Sequence, residues 1–203
     1  MIRLQEFIQQ ASSSPLASWC DQLPWVIVNN AQRIIEGLLV VSDAEFDRQG
    51  AIAVHRTAVV EPGAVIKEPA IVSAQCFIAA GSYLRGGVWL DERCVIGPGT
   101  ELKSSFVFGG TKLAHFNFVG DTILGSDVNL EAGSIIANYR NERVDKQIMV
   151  RVAADLRATG VEKFGALVGD RARIGANSVV APGALIKPDQ VVSRLSLLDQ
   201  EVN

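Results

Sequence analysis

Residues 54–101 read VHRTAV VEPGAV IKEPAI VSAQCF IAAGSY LRGGVW LDERCV IGPGTE: blocks of six with a large aliphatic residue first and, mostly, a small residue fifth. The first position gives Val54, Val60, Ile66, Val72, Ile78, Leu84, Leu90 and Ile96, and the beat runs on through Leu102 and Phe108. It resumes out of step at Phe118, Leu124, Leu130 and Ile136, and again at Val168, Ile174, Val180 and Ile186. A period of six fits neither the 3.6 of a helix nor simple strand alternation. It is the pattern of a hexapeptide parallel β-helix, an all-β solenoid. Two residues before each aliphatic stand small residues such as Ala58, Ala64, Ala70, Ser82, Thr100, Ser134, Ala172 and Ala184. Short strands send both positions toward the axis, so one large and one small side chain fill a narrow triangular prism. Glu61-Pro62-Gly63, Gly97-Pro98-Gly99 and Ala181-Pro182-Gly183 mark corners, where Pro presets φ and Gly accepts a positive one.

Composition bounds the partners. The 203 residues are 48% hydrophobic and 20% charged with a net charge of −3, enough apolar surface for one core and too little charge for a nucleic-acid or membrane-surface binder. The start, Met1-Ile2-Arg3-Leu4-Gln5, has no basic leader with an apolar core, and a cytoplasmic location is expected. Cys76 and Cys94 lie eighteen apart at the small inward position and read as stacked, reduced core residues.

Three segments are expected. Residues 1–50 lack the beat and read as a small α+β cap over the first coil: a short amphipathic helix at Ile2, Leu4, Phe7 and Ile8, an N-cap at Ser14-Pro15, a strand at Trp25–Val28, and a helix capped by Asn30. Residues 51–187 form the β-helix, interrupted by the slip between Phe108 and Phe118 and by an extended loop at 140–162. Residues 188–203, with Val191, Val192, Leu195, Leu197 and Leu198, read as a closing C-terminal helix.

The repeat places chemistry by register. Lys67, Arg85 and Lys103 are each eighteen apart and follow the large aliphatic by one, so they stack along one edge as a basic ladder. Arg85 sits in Leu84-Arg85-Gly86-Gly87, where the glycines let a ligand approach the backbone and a phosphate would relieve like-charge repulsion. His115 lies in the slip, twelve residues after Lys103. Histidine is the usual general base near neutral pH, and the other histidine, His55, is remote from any break. Two histidines sixty residues apart do not form a zinc cluster, so no metal is expected.

The segment His115–Tyr139, HFNFVGDTILGSDVNLEAGSIIANY, with KFGALVGD at 163–170, resembles the acetyltransferase domain of bifunctional glucosamine-1-phosphate acetyltransferase/N-acetylglucosamine-1-phosphate uridyltransferase. That family belongs to the left-handed β-helix, hexapeptide-repeat acyltransferases, and the left hand is implied by the resemblance. So are the roles: His115 as general base, Arg85, Lys103 and Lys163 as a cationic clamp on a sugar phosphate, and Asn129, Asn138 and Tyr139 as polar contacts to the amino sugar and the acyl donor. The resemblance also implies acetyl-CoA as donor, an amino-sugar phosphate or nucleotide-linked amino sugar as acceptor, and a homotrimer with sites between prisms. This sequence departs from the pattern at Phe118, where the family has tyrosine, and in the long separation of Tyr139 from Lys163. The uridyltransferase domain has no counterpart in it. Two other functions fit the same residues: an acyl-carrier-protein-dependent acyltransferase of the lipid A type, and a non-catalytic trimeric β-helix module related to sugar nucleotidylyltransferases.

Overall fold

The six-residue beat winds the chain into a mostly β solenoid of about eight turns, three short strands to a turn. The computed structural model describes residues 2–40 and 44–202. Met1, residues 41–43 and Asn203, which belong to the expected cap and C-terminal segment, lie outside the described residues.

Three parallel columns of strands form the faces. The first face is a seven-stranded sheet running from Val59–Val60 through Val95–Ile96, Lys112–Leu113 and Asn129–Leu130 to Val191–Val192. The second stacks Val65–Ile66, the first halves of Tyr83–Leu90 and Glu101–Val107, then Phe118–Gly120, Ile135–Ile136, Val179–Val180 and Leu197–Leu198. The third takes Ile52–His55, Ala70–Val72, the second halves of the two long strands, Ile123–Leu124, Ala166–Val168 and Ala184–Ile186. Leu84, Leu90, Ile96, Leu102, Leu113, Leu124, Leu130 and Ile136 are fully buried on the axis, as the beat requires. Cys76 and Cys94 are buried free thiols, and the Cys76 hydrogen bond together with burial pushes the Cys94 thiol well up.

The slip lies elsewhere than the aliphatic series indicates. The interior residues of this region are Leu102, Val107, Leu113, Val119 and Leu124, so the two five-residue steps run from 102 to 107 and from 119 to 124. Phe108 and Phe118 are therefore not members of the inward column. Period-two side chains make the neighbour of an inward residue point outward, and Phe108 packs outside against Trp89, ring centroids 5.3 Å apart. Both short steps fall at the corner between the second and third faces. There, Gly86 and Gly87 together oppose the single Ser104 of the next coil, and Asp121 opposes Ser104 below, with Ser104 and Asp121 at φ of 47° and 45°.

The N-terminal segment departs from expectation in position and content. It has three 3-10 turns, Leu4–Glu6, Ala11–Ser13 and Ala17–Trp19, then helix α1 (Pro24–Asn29) and helix α2 (Ala31–Leu39). Trp25–Val28 is thus helical rather than a strand: Pro24 starts the helix, and Trp25, Ile27 and Val28 are buried together. Ile2–Ile8 holds only one 3-10 turn, the Ser14 hydroxyl donates to Ala11 O at 2.7 Å and accepts from Leu16 N at 3.1 Å, so that it caps the entry to the Ala17–Trp19 3-10 turn rather than an α-helix, and Asn30 precedes α2 but its side chain donates to Val26 O. The segment does not sit over the open end. It runs along the third face, whose outward positions Ile71, Trp89, Phe106, Ile123 and Leu167 form an apolar ladder in register. Leu4, Ile8, Leu16, Ile27 and Ile35 are fully buried there, each stabilising by about 1.5–3 kcal/mol. The strand Phe46–Gln49 pairs antiparallel with Ile52–His55 at the edge of that face.

At the other end the expected C-terminal helix is absent. Residues 191–192 and 197–198 are further solenoid strands, because Ile186, Val192 and Leu198 continue the beat of six, and Asp189 and Leu195 take left-handed corners at φ of 61° and 56°. The 140–162 interruption leaves the prism, and residues 149–158 within it fold into an antiparallel hairpin, Met149–Val152 with Asp155–Ala158, while 140–148 and 159–162 are irregular. Its Ile148 and Val150 are fully buried beside the N-terminal segment. Arg140 and Arg143 fasten its root to the chain end, through Asp199 at 2.7 Å and Glu201. No helix among the described residues is long and apolar enough to cross a membrane.

Candidate functional site

The corner between the second and third faces gathers most of the expected site. Arg85 and Lys103 are cross-strand partners, confirming that register stacks them. Their repulsion is already relieved by carboxylates. Arg85 donates to Glu101 at 2.7 Å, and Lys103 Nζ donates to both oxygens of Asp121 at 2.7 and 2.8 Å. Asp121 is 4% exposed and also accepts from Asn138 Nδ2, so one carboxylate joins two of the expected site residues. Its backbone carbonyl accepts from Gly165 N at 2.9 Å, which brings in the strand after the hairpin.

Lys163 stays at this corner despite the long insertion. Phe164 N donates to Asn138 O at 3.1 Å, so the hairpin leaves and re-enters at one place, and Lys163 is exposed beside Asn138. Tyr139 is half-buried, with the Lys146 ammonium of the inserted segment 5.3 Å from its ring centroid. Attraction between a cation and the ring face holds that contact. Gly87 does not admit a ligand. A Cβ there would lie 2.8 Å from Gln32 N, so the start of α2 fills the space that the glycine leaves.

His115 and Asn129 lie apart from this cluster within the chain. His115 occupies the corner between the first and second faces, and the strand Phe118–Gly120 separates it from Lys103, which pairs with Gly120. Its imidazole is exposed and has no hydrogen-bond partner among the described residues, while its carbonyl accepts from Gly133 N. Phe116 beside it is 70% exposed. Asn129 points out from the first face, stacked between Lys112 and Arg173. Nearby, Arg194 and the Ala176 N–H hydrogen-bond Glu131 and hold its carboxyl down to about 2.

The second face thus has cations and amides along one edge and a free imidazole along the other. An amine acceptor with an anionic group could be held by the first edge, and a base at the second could take its proton. No family model matches the chain. A bifunctional sugar-1-phosphate nucleotidylyltransferase/acetyltransferase of Sulfurisphaera tokodaii is 34% identical over 152 residues, covering 72% of this chain and 37% of that protein. The bifunctional protein GlmU of Methanococcus vannielii is 30% identical over 126 residues, 62% of this chain and 30% of that protein. The chain is thus similar, over 72% of its own length, to part of a protein whose name includes an acetyltransferase function. It spans about a third of the length of the curated relatives it matches. A hexapeptide transferase family protein from Anaplasma phagocytophilum, solved as a crystal structure, is 21% identical, covers 71% of this chain and 70% of its own, and superposes with a TM-score of 0.35.

Sequence reasoning missed two residues of this corner. Asp121 stands one past Gly120, the residue opposite Lys103, because the short step makes this coil seventeen residues long, and Glu101 stands two before Lys103 and opposite Tyr83. Strand alternation alone would have put Glu101 on the ladder's face, whereas Asp121 follows only once the five-residue step is located between Leu102 and Val107.

Proposed function

We propose that the chain is an acyltransferase that moves the acetyl group of acetyl-CoA onto the amine of an amino-sugar phosphate or nucleotide-linked amino sugar. His115 takes a proton from the amine as nitrogen attacks the thioester carbonyl; the C–S bond breaks and CoA leaves as the thiol. Arg85, Lys103 and Lys163 hold the acceptor's phosphate, Asn129 and Asn138 its polar groups, and Tyr139 the donor. The reading places the protein in the cytoplasm as a homotrimer, whose neighbouring prisms bring the two edges of a face into one cleft. Positioning supplies much of the barrier reduction, because a thioester is already activated.

The observation that carries this reading is the convergence of Arg85, Lys103 and Asn138 at one corner in a chain related to acetyltransferases, with an unpartnered imidazole across the same face. The test is release of free CoA thiol from acetyl-CoA against a panel of amino sugars, free, phosphorylated and nucleotide-linked. Release with a phosphorylated or nucleotide-linked acceptor supports it; none across the panel overturns it. One observation favours the non-catalytic trimeric module instead: Lys103 is already ion-paired to Asp121 and Tyr139 already covered by Lys146. Silence across the acetyl-CoA and carrier-protein donors alike, with trimers intact, would select that reading.

A further inference from the structure

The ladder corner is not walled by the solenoid alone. A hollow of about 370 Å³ opens beside Arg85 and Lys103, and its other wall is the junction of α1 and α2, with Asn29 and Gln32 exposed in it. The wall is fixed in place. α2 is pressed onto Gly87, its Ile34 and Ile35 are buried, and Trp25 of α1 packs edge-on to Phe164 at 5.7 Å. Glu101 takes the Nε edge of Arg85, and a guanidinium with five donors keeps others for a second acceptor. Asn29 and Gln32 make no side-chain hydrogen bond among the described residues, so their carboxamides are free to meet what enters.

We propose that Asn29 and Gln32 are specificity-determining residues that contact the anionic group of the acceptor, making the N-terminal segment one wall of the acceptor site. The proposal rests on the reading of Arg85 and Lys103 as the phosphate clamp. The segment then does two things: it covers the third face, and it sets the charge and width of the hollow opposite the ladder. An acceptor without an anionic group gains nothing from this wall.

Opposite charges at one position test it. Across a hollow of this size a new charge lies about 8 Å from the bound anion, which at an intermediate dielectric shifts affinity about fivefold at low salt. Asn29→Lys should tighten, and Asn29→Asp weaken, the binding of inorganic phosphate followed by phosphorus NMR, with melting temperatures unchanged. The KM for a phosphorylated acceptor should move in the same two directions, and the KM for acetyl-CoA should not move. Equal or same-direction shifts in the two variants, or no phosphate binding by the unaltered protein, would overturn the proposal. Opposite shifts in phosphate affinity without any thiol release would leave it standing and remove acyl transfer; thiol release with unmoved Asn29 variants would remove it alone.

Discussion

Replacing Asp121 by Asn asks whether the ladder corner is held by charge. The carboxylate is 4% exposed, and its ion-pair partner Lys103 has a side-chain exposure of 17%, with Nζ at 2.7 and 2.8 Å from the two oxygens. Asparagine tolerates the left-handed φ of 45° at this position nearly as well as aspartate, so backbone strain does not enter. What remains is an ammonium without its counter-charge, and a carboxamide whose oxygen can still accept from Asn138 at the Oδ2 position while its NH2 faces the Lys103 ammonium at the Oδ1 position. Removing one partner of a fully buried pair costs about 3–5 kcal/mol, and the remaining exposure of Lys103 lowers this to about 2–3. For a domain of this length that loss lowers Tm by about 4–12 °C. Urea unfolding followed by circular dichroism gives the free energy, and a cycle with Lys103→Met isolates the pair: the double variant should be more stable than the sum of the single losses by about 1.5 kcal/mol or more. An Asp121→Asn protein within about 0.5 kcal/mol of the parent, or strict additivity in the cycle, would refute the charge-held corner.

Trp89→Ala should cost about 3–5 kcal/mol and make the first forty residues sensitive to protease under native conditions, because it removes the centre of the third-face ladder; protection as in the parent would contradict this. The Arg140 guanidinium hydrogen-bonds Asp199 and holds its carboxyl below the usual range, so that pair stabilises at neutral pH and the contribution is lost as pH falls through the depressed value. The stability gap between the parent and Asp199→Asn should therefore be constant near pH 6–7 and narrow below about pH 4; a gap that widens in acid would contradict it. Phe118→Tyr places a hydroxyl on the second face between the two edges and should lower the acceptor KM by about two- to tenfold, the worth of one hydrogen bond, with melting unchanged; a higher KM would argue against an acceptor on that face.

The inward column was legible because it is strictly periodic: from Val72 to Leu102 every expected interior residue is where the beat puts it. The slip was misplaced because Phe108 and Phe118 are as apolar as inward residues, while Val107 and Val119 beside them do the filling. Period alone cannot say which of two adjacent apolar residues turns inward; the partner strand decides. The same ambiguity hid the N-terminal segment's docking site. Ile71, Trp89, Ile123 and Leu167 each precede an inward residue by one, and an outward ladder so apolar calls for a cover. Trp25–Val28 was misread because a short apolar run carries no period, and Pro24 is what tips it to helix. At the site, register predicted the Arg85–Lys103 stack, but its pairing with Glu101 and Asp121 and the filling of Gly87 by α2 depend on tertiary contacts.

Turnover and melting of His115→Ala, measured on one preparation with acetyl-CoA and a phosphorylated amino sugar, test the role of the imidazole most directly. The side chain is exposed and unpartnered among the described residues, so its loss should leave Tm unchanged while thiol release falls by about a hundredfold or more. Full turnover in that variant, or a fall in rate matched by a loss of fold, would contradict His115 as the base.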